Sequence, residues 1–272
     1  MKVKFLAPAL LAGIVALTSC NKDDNKGETP KDPYEGLRNL NIQEGTEKEI
    51  KYLDASNNEG KYVYFSFNKG VVEVTDPMTS NDWDIAFNRY HVKTNSGTSG
   101  KGQGGALRTE GKDFAALKTA PTAGYLADIE KEVSSFAGGK GGNQKISLAP
   151  ALDPGHGEGF WNMVKPNILL GMIKKERPEF DKLPEVAQKA LVAQLTPVLS
   201  PVLDKRIKPT LVHNNGWLTM DYKQGAQGPT YSYNNWVYVV KTAAGKYAKI
   251  QLTDYKNAKD QTGFITFKYL VF

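Results

Sequence analysis

The sequence predicts a mostly β fold, an antiparallel sheet domain with a helical insertion. Three observations lead there. Runs rich in Val, Ile, Tyr and Phe are joined by turns that carry glycine. Aromatic residues recur in nearly every such run, as expected where rings pair across strands. One long segment, about residues 150–210, has helical spacing of its apolar residues instead.

Taken in order, residues 61–67 (KYVYFSF) and 71–75 (VVEVT) flank Asn68-Lys69-Gly70, a hairpin signal. In residues 82–95 (DWDIAFNRYHVKTN), Trp83, Ile85 and Phe87 alternate on one face, while Tyr90, Val92 and Thr94 follow the opposite parity. That phase slip predicts one strand, either buried on both faces or bulged near Asn88-Arg89. The run after it holds Gly97, Gly100, Gly102, Gly104 and Gly105. It fits neither GxxxxGK[ST] nor GxGxxG, so its expected role is flexibility or close backbone packing at the sheet edge. Asn162–Lys175 and Leu183–Leu195 have the spacing of helices, with Pro197, Pro201 and Pro209 expected to keep the next segment short or kinked. These helices form an insertion packed on the sheet or a lid, entered through the glycine joint at 138–142. Residues 237–242 (VYVVKT) and 246–252 (KYAKIQL) flank Ala243-Ala244-Gly245, a second hairpin. Residues 264–272 (FITFKYLVF) are a last strand with Ile265, Phe267, Tyr269 and Val271 on one face. A terminal aromatic such as Phe272 also ends many outer-membrane barrels. The strands are too short and too interrupted for a barrel of at least about eight, and a terminal sheet strand is expected.

The N-terminus sets the compartment. Lys2 and Lys4 precede an apolar stretch, Phe5–Leu17, of the length of a signal h-region. Leu17-Thr18-Ser19-Cys20 follows and resembles the lipobox of bacterial lipoproteins. The resemblance implies cleavage before Cys20 and its lipidation; the alternative is an ordinary secretory signal with Cys20 incidental. The expected organisation is a signal peptide at 1–19, a lipidated flexible tether at 20–34, and a single β domain at 35–272. Lys22-Asp23-Asp24 resembles the surface-export signal of some Gram-negative lipoproteins, which implies an outer-membrane lipid anchor with the domain at the cell surface. Cys20 is the one cysteine, so a lipidated chain has no thiol left for a disulfide, a zinc site or a Cys nucleophile. No second stretch reads as apolar over the ~18 residues of a spanning helix.

The chain carries +6, and losing residues 1–19 removes two lysines and no acid, leaving +4. Acids and bases are interspersed with no basic stripe, which argues against nucleic acid as a partner.

Several of these stretches together resemble the HmuY family of haem-binding lipoproteins. They are DWDIAFNRYHVKTN with its glycine loop and GQGGA, then GWLTMD at 216–221, residues 237–250, and ITFKY at 265–269. The resemblance spans about residues 35–145 and 211–272, leaving 150–210 as an insertion relative to the family. It implies a HmuY-like β fold and capture of haem for delivery to an outer-membrane receptor. Family members hold iron between two His or two Met, in one loop after the glycine-rich stretch and another after the Trp-Leu strand. This chain departs from that pattern. Residues 132–139 contain neither His nor Met, nor do 221–229, although Met220 stands at the edge of the second region.

The candidate iron ligands are therefore His156, Met220 and Met163, with Tyr222, Tyr231 and Arg89 as candidate pocket residues. His156 lies on a glycine-flanked loop beside Phe160 and Trp161. It could replace a lost ligand or be an exposed loop histidine. Met163 and Met172 fall on a helix and suit core roles. His91 reads as a sheet-face residue and His213 as part of a turn. Catalysis is not expected: there are three histidines, no free thiol and no GxSxG elbow. Two functions remain, a haem-capturing lipoprotein, or a family-fold module that has lost haem and binds a protein or another ligand through the insertion.

Overall fold

The computed structural model describes residues 32–57, 60–135, 142–155, 158–206, 216–221 and 229–272. Cys20, His156, His213 and Tyr222 lie outside the described residues. In chain order the strands are β1 (Lys48–Asp54), β2 (Val63–Ser66), β3 (Gly70–Val72), β4 (Ile85–Asn88), β5 (His91–Thr94), β6 (Gly105–Arg108), β7 (Ile129–Ser135) and β8 (Gly142–Leu148). The helices α1 (Glu158–Glu176) and α2 (Glu185–Arg206) follow, then β9 (Leu218–Asp221), β10 (Thr230–Tyr233), β11 (Tyr238–Lys241), β12 (Tyr247–Lys256) and β13 (Thr262–Val271). The fold is mostly β with one helical insertion.

The strands form a five-stranded sheet, β1-β13-β12-β11-β6, a four-stranded sheet, β3-β2-β4-β5, and the two ribbons β7-β8 and β9-β10, all antiparallel. The two larger sheets face each other across an aromatic core. Phe65 meets Phe267 edge-on at 5.3 Å and Tyr269 at 5.7 Å, and Phe87 lies 5.5 Å from Phe267. The alternation in the last strand sets this face: Ile265, Phe267, Tyr269 and Val271 are all buried. Asp84 ties the sheets together, accepting the amides of Phe67 at the end of β2 and of Ala243 in the β11–β12 turn.

The stretch 82–95 is a hairpin and not one long strand. Asn88 pairs with His91, and Arg89-Tyr90 make the turn, with Arg89 at φ +52°. The parity slip is the signature of that two-residue turn. Arg-Tyr is not one of the dipeptides that mark such turns. One half of the expectation holds: every residue of β4 is buried.

β5 is the edge of its sheet, yet it is largely buried. A buried edge must still satisfy its amides. Two aspartates from distant loops do this. Asp153 accepts Val92 N at 3.0 Å and Asp128 accepts Thr94 N at 2.8 Å. Asp153 also takes Gly155 N at 2.7 Å and lies 3.0 Å from His91 Nδ1. Asp128 gathers the hydroxyls of Thr94, Ser96 and Ser99. Burial pushes the Asp128 carboxyl up to about 6, against the downward pull of those bonds.

The glycine run is close packing. Asn95 sits inside it, donating to the carbonyls of Ser80 and Trp83 and accepting Gly102 N. Gly97 has φ +50°, and a Cβ there would lie 2.1 Å from the Asp128 carbonyl oxygen. A Cβ on Gly100 would meet the Asn95 side chain at 2.1 Å. The loop must press backbone onto backbone, which glycine alone permits.

The insertion is a pair of helices with its own small cluster, Leu169 and Leu203 with Ile168, Met172 and Leu199. Its first helix lies against β9. Two expectations change here. The second helix runs on through Pro197 and Pro201 to Arg206. Both prolines are exposed and four residues apart, so the carbonyls they leave unbonded face water. As a result Glu185–Asp204 is one helix long and apolar enough, by length and composition, to cross a membrane, with mean hydropathy 1.2. Its apolarity comes from Ala, Val and Leu spread among Gln, Ser, Thr, Pro and three charged residues, which hides it from inspection of short stretches.

Replacing Asp153 or Asp128 by Ala should each cost roughly 2–4 kcal/mol in urea unfolding, because buried amides lose their acceptor. The Asp128 pKa also fixes a sign. Its pKa is raised on folding, so the folded state holds the proton more tightly. Its contribution to stability is full below the unfolded value and is lost as pH rises through about 6. Urea midpoints followed between pH 4 and 7 should show this fall, and Asp128→Asn should lose that component of the slope.

Candidate functional site

The β9–β10 ribbon positions the site. Tyr231 pairs with Met220, and Tyr233 with Leu218. Partners directly opposite share a face. Leu218 is buried, Met220, Tyr231 and Tyr233 are half-buried, and Thr219 and Ser232 are exposed. Met220 and Tyr231 therefore sit on the inward side of the ribbon, packed against the main core.

Under that face lies a cluster of rings. Trp217 stacks on Tyr233 at 6.2 Å and 10°, and meets Tyr255 edge-on at 5.9 Å. Tyr231 lies 5.0 Å from Tyr255, and Tyr90 lies 6.2 Å from Tyr255 and 4.5 Å from His91. Trp217 Nε1 donates to the Tyr90 carbonyl at 3.0 Å, which binds the ribbon to the β4–β5 turn. Tyr233 donates to Asp254 Oδ1 at 2.6 Å and accepts the amide of Tyr255.

Arg89 supplies positive charge at the cluster's edge. Its guanidinium donates to the Ser56 carbonyl at 3.3 Å and to Thr262 Oγ1 at 3.5 Å. Burial raises the pKa of both Tyr231 and Tyr255, and the Arg89 charge pulls each back down. The phenols stay protonated at neutral pH, beside a cation.

Three predicted site residues, Met220, Tyr231 and Arg89, thus gather around one aromatic cluster. Met163 lies on α1. His156 and Tyr222 are outside the described residues. Of the two regions matched to the family's ligand loops, residues 132–135 belong to β7 and Asp221 ends β9, one residue after Met220; residues 136–139 and 222–228 lie outside the described residues. His91 is a positioned residue of β5, its ring nitrogen on Asp153. Trp217, Tyr90 and Tyr255 were not expected in the site. Tyr255 falls past the predicted end of its strand, where the β12–β13 register shifts, and in a chain with 13 tyrosines no local signal marks it.

A family model described as HmuY protein matches residues 58–269. The chain belongs to the HmuY family. Several solved structures are similar to the chain. One comes from Bacteroides vulgatus and is provisionally described as a HmuY-like haem-binding protein. It is 22% identical, covering 86% of this chain and 97% of its own, with a TM-score of 0.48. Another, provisionally described as a lipoprotein from Bacteroides fragilis, is 18% identical, covering 89% and 97%, with a TM-score of 0.46. The apo HmuY analog of Tannerella forsythia is 16% identical, covering 83% and 94%, with a TM-score of 0.39. No curated protein matches the chain significantly.

Trp217→Phe should lower stability by about 1 kcal/mol through loss of the bond to Tyr90. It should also reduce the near-ultraviolet dichroism of the ring cluster.

Proposed function

We propose that this protein is a lipid-anchored haem-binding protein of the outer membrane that captures haem for an outer-membrane receptor. The single observation that carries the reading is membership of the HmuY family, a haem-binding-type family, over residues 58–269. The geometry is compatible with it. Met220 offers a thioether near the end of β9, Tyr231 an aromatic edge opposite it on β10, and Arg89 a cation for a carboxylate. Haem is cargo in this reading, and no catalysis is required. Lipidation at Cys20, a tether over 20–34, a domain over 35–272 and a cell-surface location belong to the same proposal. They rest on the lipobox-like Leu17-Thr18-Ser19-Cys20 and on Lys22-Asp23-Asp24.

A second reading has an observation of its own: both segments matched to the family's ligand loops lack His and Met. In it the protein has lost haem, and the insertion binds a protein or another ligand. The second helix presents Val186, Val198 and Val202 to solvent at 80%, 65% and 43% exposure.

Titrating haemin into residues 21–272 and following Soret absorbance in ferric and reduced states separates the two. Haem capture predicts a saturable shift at about one equivalent, altered in Met220→Ala if the thioether ligates iron. Absence of a shift in both redox states rejects haem capture and leaves the insertion as the functional surface.

A further inference from the structure

A second polar site lies on the outer face of the four-stranded sheet, away from the aromatic cluster. Along one row of that sheet Tyr64 pairs with Ala86, and Ala86 pairs with Lys93. The three side chains share a face, and the small methyl of Ala86 leaves room above it. Tyr64 and Lys93 close over that space, with Lys93 Nζ donating to the Tyr64 hydroxyl at 3.1 Å. The ammonium is ringed by aromatics: Tyr62 at 4.0 Å, Tyr64 at 5.0 Å and Trp83 at 5.7 Å. Lys93 is only 8% exposed. Among the described residues no carboxylate makes an ion pair with it; Asp128 attracts it through space alone.

This lysine lines a cleft of about 470 Å³ over the outer face of β2 and β3. On this face the cleft takes its apolar lining from Val72, directly opposite Tyr64, and from Val74, and its carboxylate, Glu73, is engaged by Arg38 at 2.8 Å. A buried cation with unspent N–H donors is costly unless an anion meets it. The Tyr64 hydroxyl accepts from Lys93, so its own proton is directed elsewhere and can donate to that anion. One buried cation and one phenol suit a monoanion better than a phosphate dianion. Val72, Val74 and the Tyr62 ring suit a small flat ring beside that anion.

We propose that this cleft is a binding site for a small aromatic carboxylate, its oxygens on the Lys93 ammonium and the Tyr64 hydroxyl. The site is independent of haem capture. Burial lowers the Lys93 pKa to about 8, so the ammonium predominates at pH 7 and is progressively lost as pH rises through 8. The other titratable groups facing it are Asp128, Glu73, Lys61, Tyr62 and Tyr64. Asp128, near 6, titrates below that window, and burial raises Tyr62 and Tyr64 above it.

Benzoate is the probe, with benzamide as its neutral counterpart, both titrated into residues 21–272 by saturation-transfer NMR. Benzoate should bind at pH 7, weaken by about tenfold or more as pH rises from 7 to 9.5, and outcompete benzamide. Lys93→Met, which removes the charge and keeps an unbranched side chain one atom shorter, should abolish benzoate binding while the thermal melt stays cooperative. Should that variant fail to fold, Tyr64→Phe retains the cation and ring and should bind benzoate about fivefold more weakly. No binding to the unmodified protein, equal binding of benzamide, a flat pH profile, or unchanged affinity in Lys93→Met or Tyr64→Phe would each overturn the site.

Discussion

The edge of β5 is the constraint on which much of this fold depends. A buried edge strand offers amides that neither water nor a neighbouring strand satisfies. Here Asp153 and Asp128 act as the missing partners at Val92 and Thr94. Each aspartate then organises the segment it belongs to. Asp153 turns the chain at Gly155, ahead of the insertion. Asp128 draws in Ser96 and Ser99 and so folds the glycine loop against the sheet. One unmet hydrogen-bonding need at an edge thereby fixes a loop and the chain leading to the helices.

That arrangement also explains why the glycines are dense. With Asn95 and Asp128 both buried beneath the loop, backbone must approach within distances that no Cβ tolerates at Gly97 and Gly100. The loop looks loose as a sequence and is tight as a structure. The same hairpin serves both candidate sites. Its turn carries Arg89 and Tyr90 to the ring cluster under the β9–β10 ribbon. The following strand carries Lys93 to the opposite, outer face.

Much of the β architecture was legible in the sequence. The turns at Asn68-Lys69-Gly70 and Ala243-Ala244-Gly245 and the inward face of the last strand are local signals, and they appear as expected. The helical pair was legible for the same reason, although Pro197 and Pro201 suggested an earlier end to the second helix. The turn at Arg89-Tyr90 was not, because a phase slip has the same one-dimensional signature in a bulge and in a tight turn. The candidate site was legible only in part. Met220, Tyr231 and Arg89 could be named one by one, but Trp217, Tyr90 and Tyr255 join them only through packing between distant segments.

The sequence by itself determined the fold class, the principal hairpins, the helical insertion and the resemblance to one family. Periodicity and turn chemistry act over a few residues and can be read directly. Only the tertiary structure decided where the buried charges find their partners. Thr94 and Asp128 are 34 residues apart, and Val92 and Asp153 are 61 apart. An aspartate in a loop looks the same whether it faces water or closes the edge of a sheet, and the difference arises only when folding removes the water.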